Sequence, residues 1–112
     1  MIKVSVLYAY SPNARFDHDY YREKHMPLVK RLMGEHCKGY SIDKGIAGGT
    51  PGSAPTFVAV ADIYCDSVEA FQTGFGPHAK EILSDVKNYT DLQPSLQISE
   101  VVKIAEISAS AK

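Results

Sequence analysis

Apolar and polar residues alternate at the start of the chain, and this period of two predicts a β-strand over residues 2–9. The residues that share its apolar face are Ile2, Val4, Val6 and Tyr8. Similar segments predict three further strands, at 37–46, 56–65 and 96–104. The second and third are separated by a Gly- and Pro-rich stretch that is too long for a two-residue turn, so we expect a long hairpin.

A period close to 3.6 predicts a first helix after the first strand. Asp17 is a suitable N-cap, and Phe16 is spaced to pack on Tyr21 as a hydrophobic staple. Pro27 lies inside the helix and cannot donate a backbone hydrogen bond, so we expect a kink there. Gly34 offers a C-terminal stop. The inward stripe is expected to contain Tyr21, His25, Leu28 and Leu32, with Val29 at its edge.

A second helical region follows the third strand. Asp66 and Glu69 have the spacing of a capping box, which predicts a helix from Ser67. Gly76 and Pro77 interrupt this helix, and a second apolar stripe follows. Its members are Ala79, Ile82, Leu83 and Val86.

The element order βαββαβ predicts an α+β, ferredoxin-like fold, an antiparallel sheet with both helices on one face. We expect one domain over residues 1–105 and a frayed tail over 106–112. Because the predicted central strand, residues 57–65, is apolar on both faces, its uncovered face would be an exposed apolar patch. Sheet-to-sheet homodimerisation would cover it. A symmetric hairpin would place Tyr40 opposite Asp62.

Composition excludes several functional classes. Twelve Lys and Arg residues against 13 Asp and Glu residues give a net charge of -1, which does not favour nucleic-acid binding. No apolar run has the length of a membrane span, and the first residues lack the pattern of a signal peptide, so we expect a cytoplasmic protein that does not bind membranes. The four histidines and two cysteines have no metal-site spacing, and no complete dinucleotide or phosphate-loop motif occurs. No metal or cofactor is expected.

His25 is the most informative candidate, because an imidazole occupies a position on an apolar stripe where Leu would pack without a hydrogen-bond partner. Two interpretations remain open. It is either a general acid/base in a pocket between helix and sheet, or a core histidine bonded to a backbone carbonyl, such as the carbonyl of Glu23 that Pro27 leaves free.

Asp62 is the second candidate, because it interrupts an apolar strand and a buried carboxylate needs a partner. It would orient His25 or a substrate if both face the helices, or bond Tyr40 or a dimer mate for structural reasons. Tyr21, Tyr40 and Tyr64 are candidates to line a pocket and bond a substrate oxygen.

Three segments of the chain resemble the EthD family, named for ethyl tert-butyl ether degradation: FDHDYYREKHMPLV, VAVADIYCDSVEAFQ and FGPHAKEILSDVKNYTDLQP. The resemblance covers roughly residues 2–102. The residues that match the family's first-helix signature, F-x-x-x-Y-[WY]-x-x-x-H-x-P, are Phe16, Tyr20, Tyr21, His25 and Pro27. Tyr21 stands where many longer members carry Trp.

The resemblance implies a dimeric α/β barrel in which two ferredoxin-like subunits pack sheet against sheet. Relatives in the wider superfamily include cofactor-free monooxygenases, cyclases and muconolactone isomerases, with pockets between helices and sheet. It therefore implies a cofactor-independent enzyme, oxidoreductase or isomerase in type, acting on a small hydrophobic oxygenated metabolite. His25 would be the acid/base and Asp62 would orient or polarise. The residues expected to contact substrate are Tyr21, Tyr40, Tyr64 and Leu28.

Two other interpretations predict different outcomes. A non-catalytic accessory or binding protein for a monooxygenase system would bind ligand without turnover and tolerate His25→Gln. A purely structural dimer would fill the pocket with its own side chains and leave no cavity beside His25.

Overall fold

The computed structural model describes residues 1–107 and has the expected ferredoxin-like α+β fold. Four antiparallel strands form one sheet in the order β2-β3-β1-β4. The strands are β1 (Ile2–Ala9), β2 (Gly39–Lys44), β3 (Phe57–Cys65) and β4 (Ser95–Glu100). β3 lies inside the sheet, as its apolar sequence predicted. β4 ends at Glu100, four residues earlier than predicted, and the expected tail falls outside the described residues from 108 onward.

The first helix, α1, spans residues 18–33 and contains a π-helical turn. Asp17 is its N-cap and accepts a hydrogen bond from the backbone nitrogen of Tyr20, as predicted. The predicted staple is also present, with the Phe16 and Tyr21 ring centroids 5.1 Å apart. Tyr21–His25 forms the π turn, which the backbone N–H of Met26 closes on the carbonyl of Tyr21. A widened turn therefore lies just before Pro27, where a kink was predicted.

The π turn moves the buried face of α1 by one residue. Leu28 and Leu32 were expected to face the core, but both are only half-buried. Val29 and Met33 are buried in their place, beside Met26. Because a π turn contains one residue more than an α turn, every position after it is rotated relative to the regular pattern.

The second helical region also differs from the prediction at its start. Ser67 is the N-cap of α2 (Val68–Phe75), and its side chain accepts from the backbone nitrogen of Ala70. The capping box expected from Asp66 is absent. The region is interrupted at Gly76, as predicted, and continues as α3 (Ala79–Ser84).

The predicted register of the β2–β3 hairpin is wrong by one residue. Tyr40 pairs with Ile63, and Asp62 pairs with Ser41 on one side and Ser5 on the other. A slip of one residue exchanges the two faces of a strand. The helices cover the face of β3 that carries Ala59, Ala61 and Ile63, all buried. The open face carries Val58, Val60, Asp62 and Tyr64, which are half-buried in the single chain.

Candidate functional site

His25 lies in the core between α1 and the sheet, at the end of the π turn. Its exposed fraction is only 5%. Two aromatic rings pack against the imidazole. The ring centroid of Tyr21, which stacks on it, is 5.5 Å from the imidazole centroid, and that of Tyr89 is 4.6 Å away. The Tyr21 and Tyr89 rings also pack on each other, with centroids 4.8 Å apart, so the imidazole is one member of a three-ring cluster.

Asp85 is the partner of His25. Its Oδ2 lies 2.9 Å from Nδ1 of the imidazole. Its other oxygen, Oδ1, accepts from the Tyr20 hydroxyl at 2.7 Å and from the Asn88 side-chain amide at 2.9 Å. The carboxylate comes from the residue after α3, so the two helical regions meet at this pair. The carboxylate that orients the imidazole is thus itself held by hydrogen bonds from Tyr20 on α1 and from Asn88 after α3.

The electrostatics favour a neutral imidazole beside an ionised carboxylate. Burial lowers the pKa of His25 below its ordinary value of 6.5, although the hydrogen bond and charge of Asp85 act in the opposite direction. Burial raises the pKa of Asp85, but the hydrogen bonds it accepts outweigh that effect, so its pKa lies below the ordinary value. An ionised carboxylate can only accept, so Nδ1 carries the proton. Nε2 then has a free lone pair, as a general base requires.

Nε2 has no hydrogen-bond partner within residues 1–107. In the same part of the chain, no fully buried side-chain nitrogen or oxygen lacks a partner, so Nε2 has accessible surface. His25 lines a cavity of about 50 Å³ between α1, α3 and the sheet. The interpretation of a purely structural dimer predicted no cavity at this place.

The cavity is mostly apolar and continues toward the surface. Its walls, apart from His25, consist of aliphatic, aromatic and proline side chains: Val6, Tyr8, Tyr21, Met26, Val29, Ile63, Phe75, Ile82, Leu83, Val86, Tyr89, Pro94 and Leu96. A groove of about 250 Å³ adjoins it and shares three of these residues, Leu83, Val86 and Pro94. Leu83, expected in the core, is 58% exposed at this boundary. A cavity of 50 Å³ holds only a few water molecules, so a larger ligand would also occupy the groove.

The structure places one of the four residues predicted to contact substrate, Tyr21, at the cavity. Tyr40 lies on edge strand β2, and neither it nor Leu28 lines the cavity. Tyr64 pairs with Lys3 and Gly39, so its side chain is on the open face of the sheet.

Asp62 does not meet His25. It also lies on the open face, where it accepts a hydrogen bond of 2.5 Å from the Ser5 hydroxyl and lies 3.9 Å from the Lys3 ammonium. The expectation that Asp62 orients His25 required it to face the helices, and the sheet separates the two. The expected bond to Tyr40 is also absent, because the true register places Ser41 opposite Asp62.

Sequence reasoning missed Asp85, Tyr8 and Tyr89 as site residues. The signal for Asp85 was present: it lies between Ile82 and Val86 on the second apolar stripe, the same kind of position that singled out His25. Tyr89 continues that stripe beyond Val86. Tyr8 was recognised only as a strand residue.

Comparison with known proteins agrees with this architecture. The profile of the EthD domain matches residues 13–93, which is most of the chain. The chain belongs to the EthD family. An EthD-like protein from Ralstonia eutropha is 51% identical, with 91% of this chain and 92% of that one aligned and a TM-score of 0.89.

More distant structures share the fold. An EthD-family protein from Bacillus halodurans is 21% identical, with 91% of this chain and 99% of that one aligned and a TM-score of 0.68. A candidate antibiotic biosynthesis monooxygenase from Deinococcus radiodurans is 14% identical, with 96% and 97% aligned and a TM-score of 0.56. No protein of curated function matches the chain. Within residues 1–107, no helix has the length and apolarity needed to cross a membrane.

Proposed function

We propose that this EthD-family protein is a cofactor-independent enzyme that moves a proton on a small, hydrophobic, oxygenated metabolite, with His25 as the base. One observation carries the proposal: a buried imidazole is hydrogen-bonded through Nδ1 to Asp85 and lines an apolar cavity with Nε2 unpaired among the described residues. Proton transfer is the part of the isomerase, cyclase and cofactor-free monooxygenase reactions of the superfamily that an imidazole can supply.

The roles divide between the two members of the pair. His25 would contact the substrate and take its proton at Nε2. Asp85 would act as a positioning residue, because it fixes the tautomer and stabilises the imidazolium that forms. The apolar walls of the cavity favour a substrate with a hydrocarbon body, and the adjoining groove would hold what the small cavity cannot.

The test uses 2-indanone, a small aromatic ketone whose CH₂ groups are acidic. In deuterated buffer, loss of the CH₂ signal by NMR measures how fast a base removes these protons. We expect the protein to accelerate exchange over buffer, and His25→Gln to lower that acceleration by about 100-fold or more. His78→Gln is the matched control, because it leaves three histidines and removes one that does not line the cavity.

The pH profile is a second readout. Because the pKa of His25 is lowered, the imidazole remains unprotonated at pH values somewhat below 6.5. The exchange rate should therefore fall on the acid side with a midpoint below pH 6.5. No acceleration by the wild type, or equal rates for wild type and His25→Gln, would contradict the proposal.

A non-catalytic binding protein for a monooxygenase system is the second candidate. The observation in its favour concerns the cavity-lining residues. Among them, His25 is the one with a charged or readily titrating side chain, and the others mainly offer a ligand packing contacts. It predicts binding of 2-indanone by both wild type and His25→Gln, with no protein-dependent exchange in either. The same experiment therefore separates the two candidates.

We also propose that two chains pair through the open sheet face. The support is the row of half-buried apolar side chains there, including Val58 and Val60, which no element of residues 1–107 covers. Light scattering coupled to size exclusion should give twice the 12.3 kDa chain mass. Val60→Lys should give the monomer, while Thr73→Lys, at an exposed position of α2, should not. A monomeric wild type, or a dimeric Val60→Lys, would contradict this arrangement.

A further inference from the structure

Two buried tyrosines form a hydroxyl pair at the cavity that holds His25. Tyr8 comes from β1 and Tyr89 from the segment after α3, and their hydroxyl oxygens are 2.5 Å apart. Their exposed fractions are 1% and 0%. Both side chains line the cavity, and Tyr89 also packs against the imidazole.

The pair has one more donor than it can use internally. Each phenol carries one proton and can accept two hydrogen bonds, so one proton suffices for the bond between the two oxygens. Burial raises the pKa of both tyrosines, so both protons are present at neutral pH. Within residues 1–107, neither hydroxyl has another partner. The second proton therefore has no acceptor in the described part of the chain.

A donor in a core seeks an acceptor, because leaving it unpaired costs free energy. The space next to both side chains is the cavity, which at about 50 Å³ has room for water. A ligand that fills this space satisfies the spare donor only if it brings an oxygen that can accept a hydrogen bond.

We propose that Tyr8 and Tyr89 form a hydrogen-bond donor site for the carbonyl or enolate oxygen of the substrate. This inference rests on the function proposed above and specifies its substrate class: a small apolar ketone or lactone with an acidic C–H next to the carbonyl. The carbon would face Nε2 of His25, and the oxygen would face the hydroxyl pair.

The chemistry balances without an oxidant or a reductant. The proton passes from carbon to Nε2, and the electron pair of the broken C–H bond moves onto the carbonyl oxygen to give an enolate. The enolate accepts a stronger hydrogen bond than the ketone because it is charged. Its donor is polarised by the bond within the pair. Return of the proton to carbon regenerates the base and completes an exchange or an isomerisation.

The experiment compares 2-indanone with 2-methyleneindane, in which C=CH₂ replaces C=O and removes the acceptor. Dissociation constants come from ligand-observed NMR titration, and the carbonyl stretch of bound 2-indanone comes from infrared difference spectra. For the wild type we expect about a tenfold preference for the ketone, the size of one net hydrogen bond, and a stretch shifted to lower frequency than in an apolar solvent.

The decisive variant is the double substitution Tyr8→Phe with Tyr89→Phe. Replacing both members keeps the shape of the core, so the variant should fold. It should bind 2-methyleneindane as the wild type does, but lose the preference and the shift. Tyr40→Phe, outside the cavity, is the matched control and should retain both. A wild type without the shift or unable to bind 2-indanone, or a double variant that retains the preference, would overturn the inference.

The outcomes for this inference and for the proposed function are separable. If the wild type shows the shift but His25→Gln exchanges as fast as the wild type, the donor site stands and the base fails. If exchange depends on His25 but the carbonyl stretch is unshifted, the base stands and the donor site fails.

Discussion

Asp85→Asn tests the pairing on which the site depends, because it removes the charge and keeps the shape. The carboxylate accepts three hydrogen bonds, from His25, Tyr20 and Asn88, at 2.7 to 2.9 Å. An amide has one accepting oxygen, so it can serve either the imidazole or the other two donors. The side chain of Asp85 is 15% exposed, and water can replace little of what is lost. We expect a loss of about 1.5–3 kcal/mol in the free energy of unfolding, the range for a bond to a charged group.

The same substitution should lower the pKa of His25 further. Both the hydrogen bond and the charge of Asp85 raise that pKa against the larger effect of burial. NMR titration of the imidazole measures the change directly. In the exchange assay, the acid limb should move to lower pH and the plateau rate should fall, because Asn can also donate to Nδ1 and select the wrong tautomer. A residue with only a structural role would lower stability without moving the acid limb.

The pH dependence of stability follows from the direction of the shift. The pKa of His25 is lower in the folded protein than in the unfolded chain, so the unfolded chain binds more protons on the acid side. The stability contributed by the neutral imidazole is complete above about pH 6.5. This stability is lost as the pH falls from about 6.5 toward the pKa of His25 in the folded protein. In Asp85→Asn the difference between the folded and unfolded pKa of His25 is wider. Urea unfolding should therefore show a larger loss of stability between neutral and acidic pH.

Asp19→Asn is the control for loss of a carboxylate on the protein surface. Asp19 lies at the start of α1 and pairs with Arg22 in solvent, so its substitution should change stability by less than about 0.5 kcal/mol. The reasoning is refuted if Asp85→Asn behaves like Asp19→Asn, or if the pKa of His25 stays the same or rises.

Two further predictions concern the core. Tyr8→Phe and Tyr89→Phe should each lower the free energy of unfolding in urea by about 1 kcal/mol. The double variant should lose less than the sum of the two, because removing both hydroxyls leaves neither unpaired. Additive losses would contradict this coupling. Gly74→Ala should destabilise by about 1–3 kcal/mol despite better helix propensity, because the new Cβ would lie 2.6 Å from the Cβ of His36. Gly39→Ala is the control. Gly39 lies in β2 and does not precede a proline, and its new Cβ would have no neighbouring atom within 4 Å, so thermal unfolding should show a neutral or slightly stabilised variant.

The fold was predictable because its signals are local and agree with one another. Alternation defined β1, and Asp17 with Phe16 marked the start of α1. The hairpin register was not predictable, because its connection is long enough to allow more than one pairing. The actual pairing puts Ile63, and not Asp62, opposite Tyr40. That one-residue difference decides whether Tyr40 shares a face with Asp62 or with Ile63. The face of Asp62 itself follows from the alternation along β3, which left open which of the two faces the helices cover.

The π turn explains how much of the site the periodicity could predict. Tyr21 and His25 are the first and last residues of the turn, and their burial follows the pattern. Beyond it, the pattern fails by one position, since a repeat of 3.6 residues carries no information about an inserted residue. The sequence does mark the place, because Pro27, which lacks a backbone donor, lies two residues after the turn. What it does not contain is whether the helix responds by bending or by widening.

The widened turn also suggests why the site can exist inside a well-packed core. Its last residue, His25, and the next one, Met26, are both buried, and the aliphatic stripe resumes at Val29. The helix can thus present a polar ring to the cavity and still bury an apolar side chain immediately after it. In a regular helix, successive residues differ by about 100° and rarely share a face. Local irregularity therefore places Met26 beside the imidazole in the core, and Asp85, from a distant part of the chain, orients the imidazole through Nδ1.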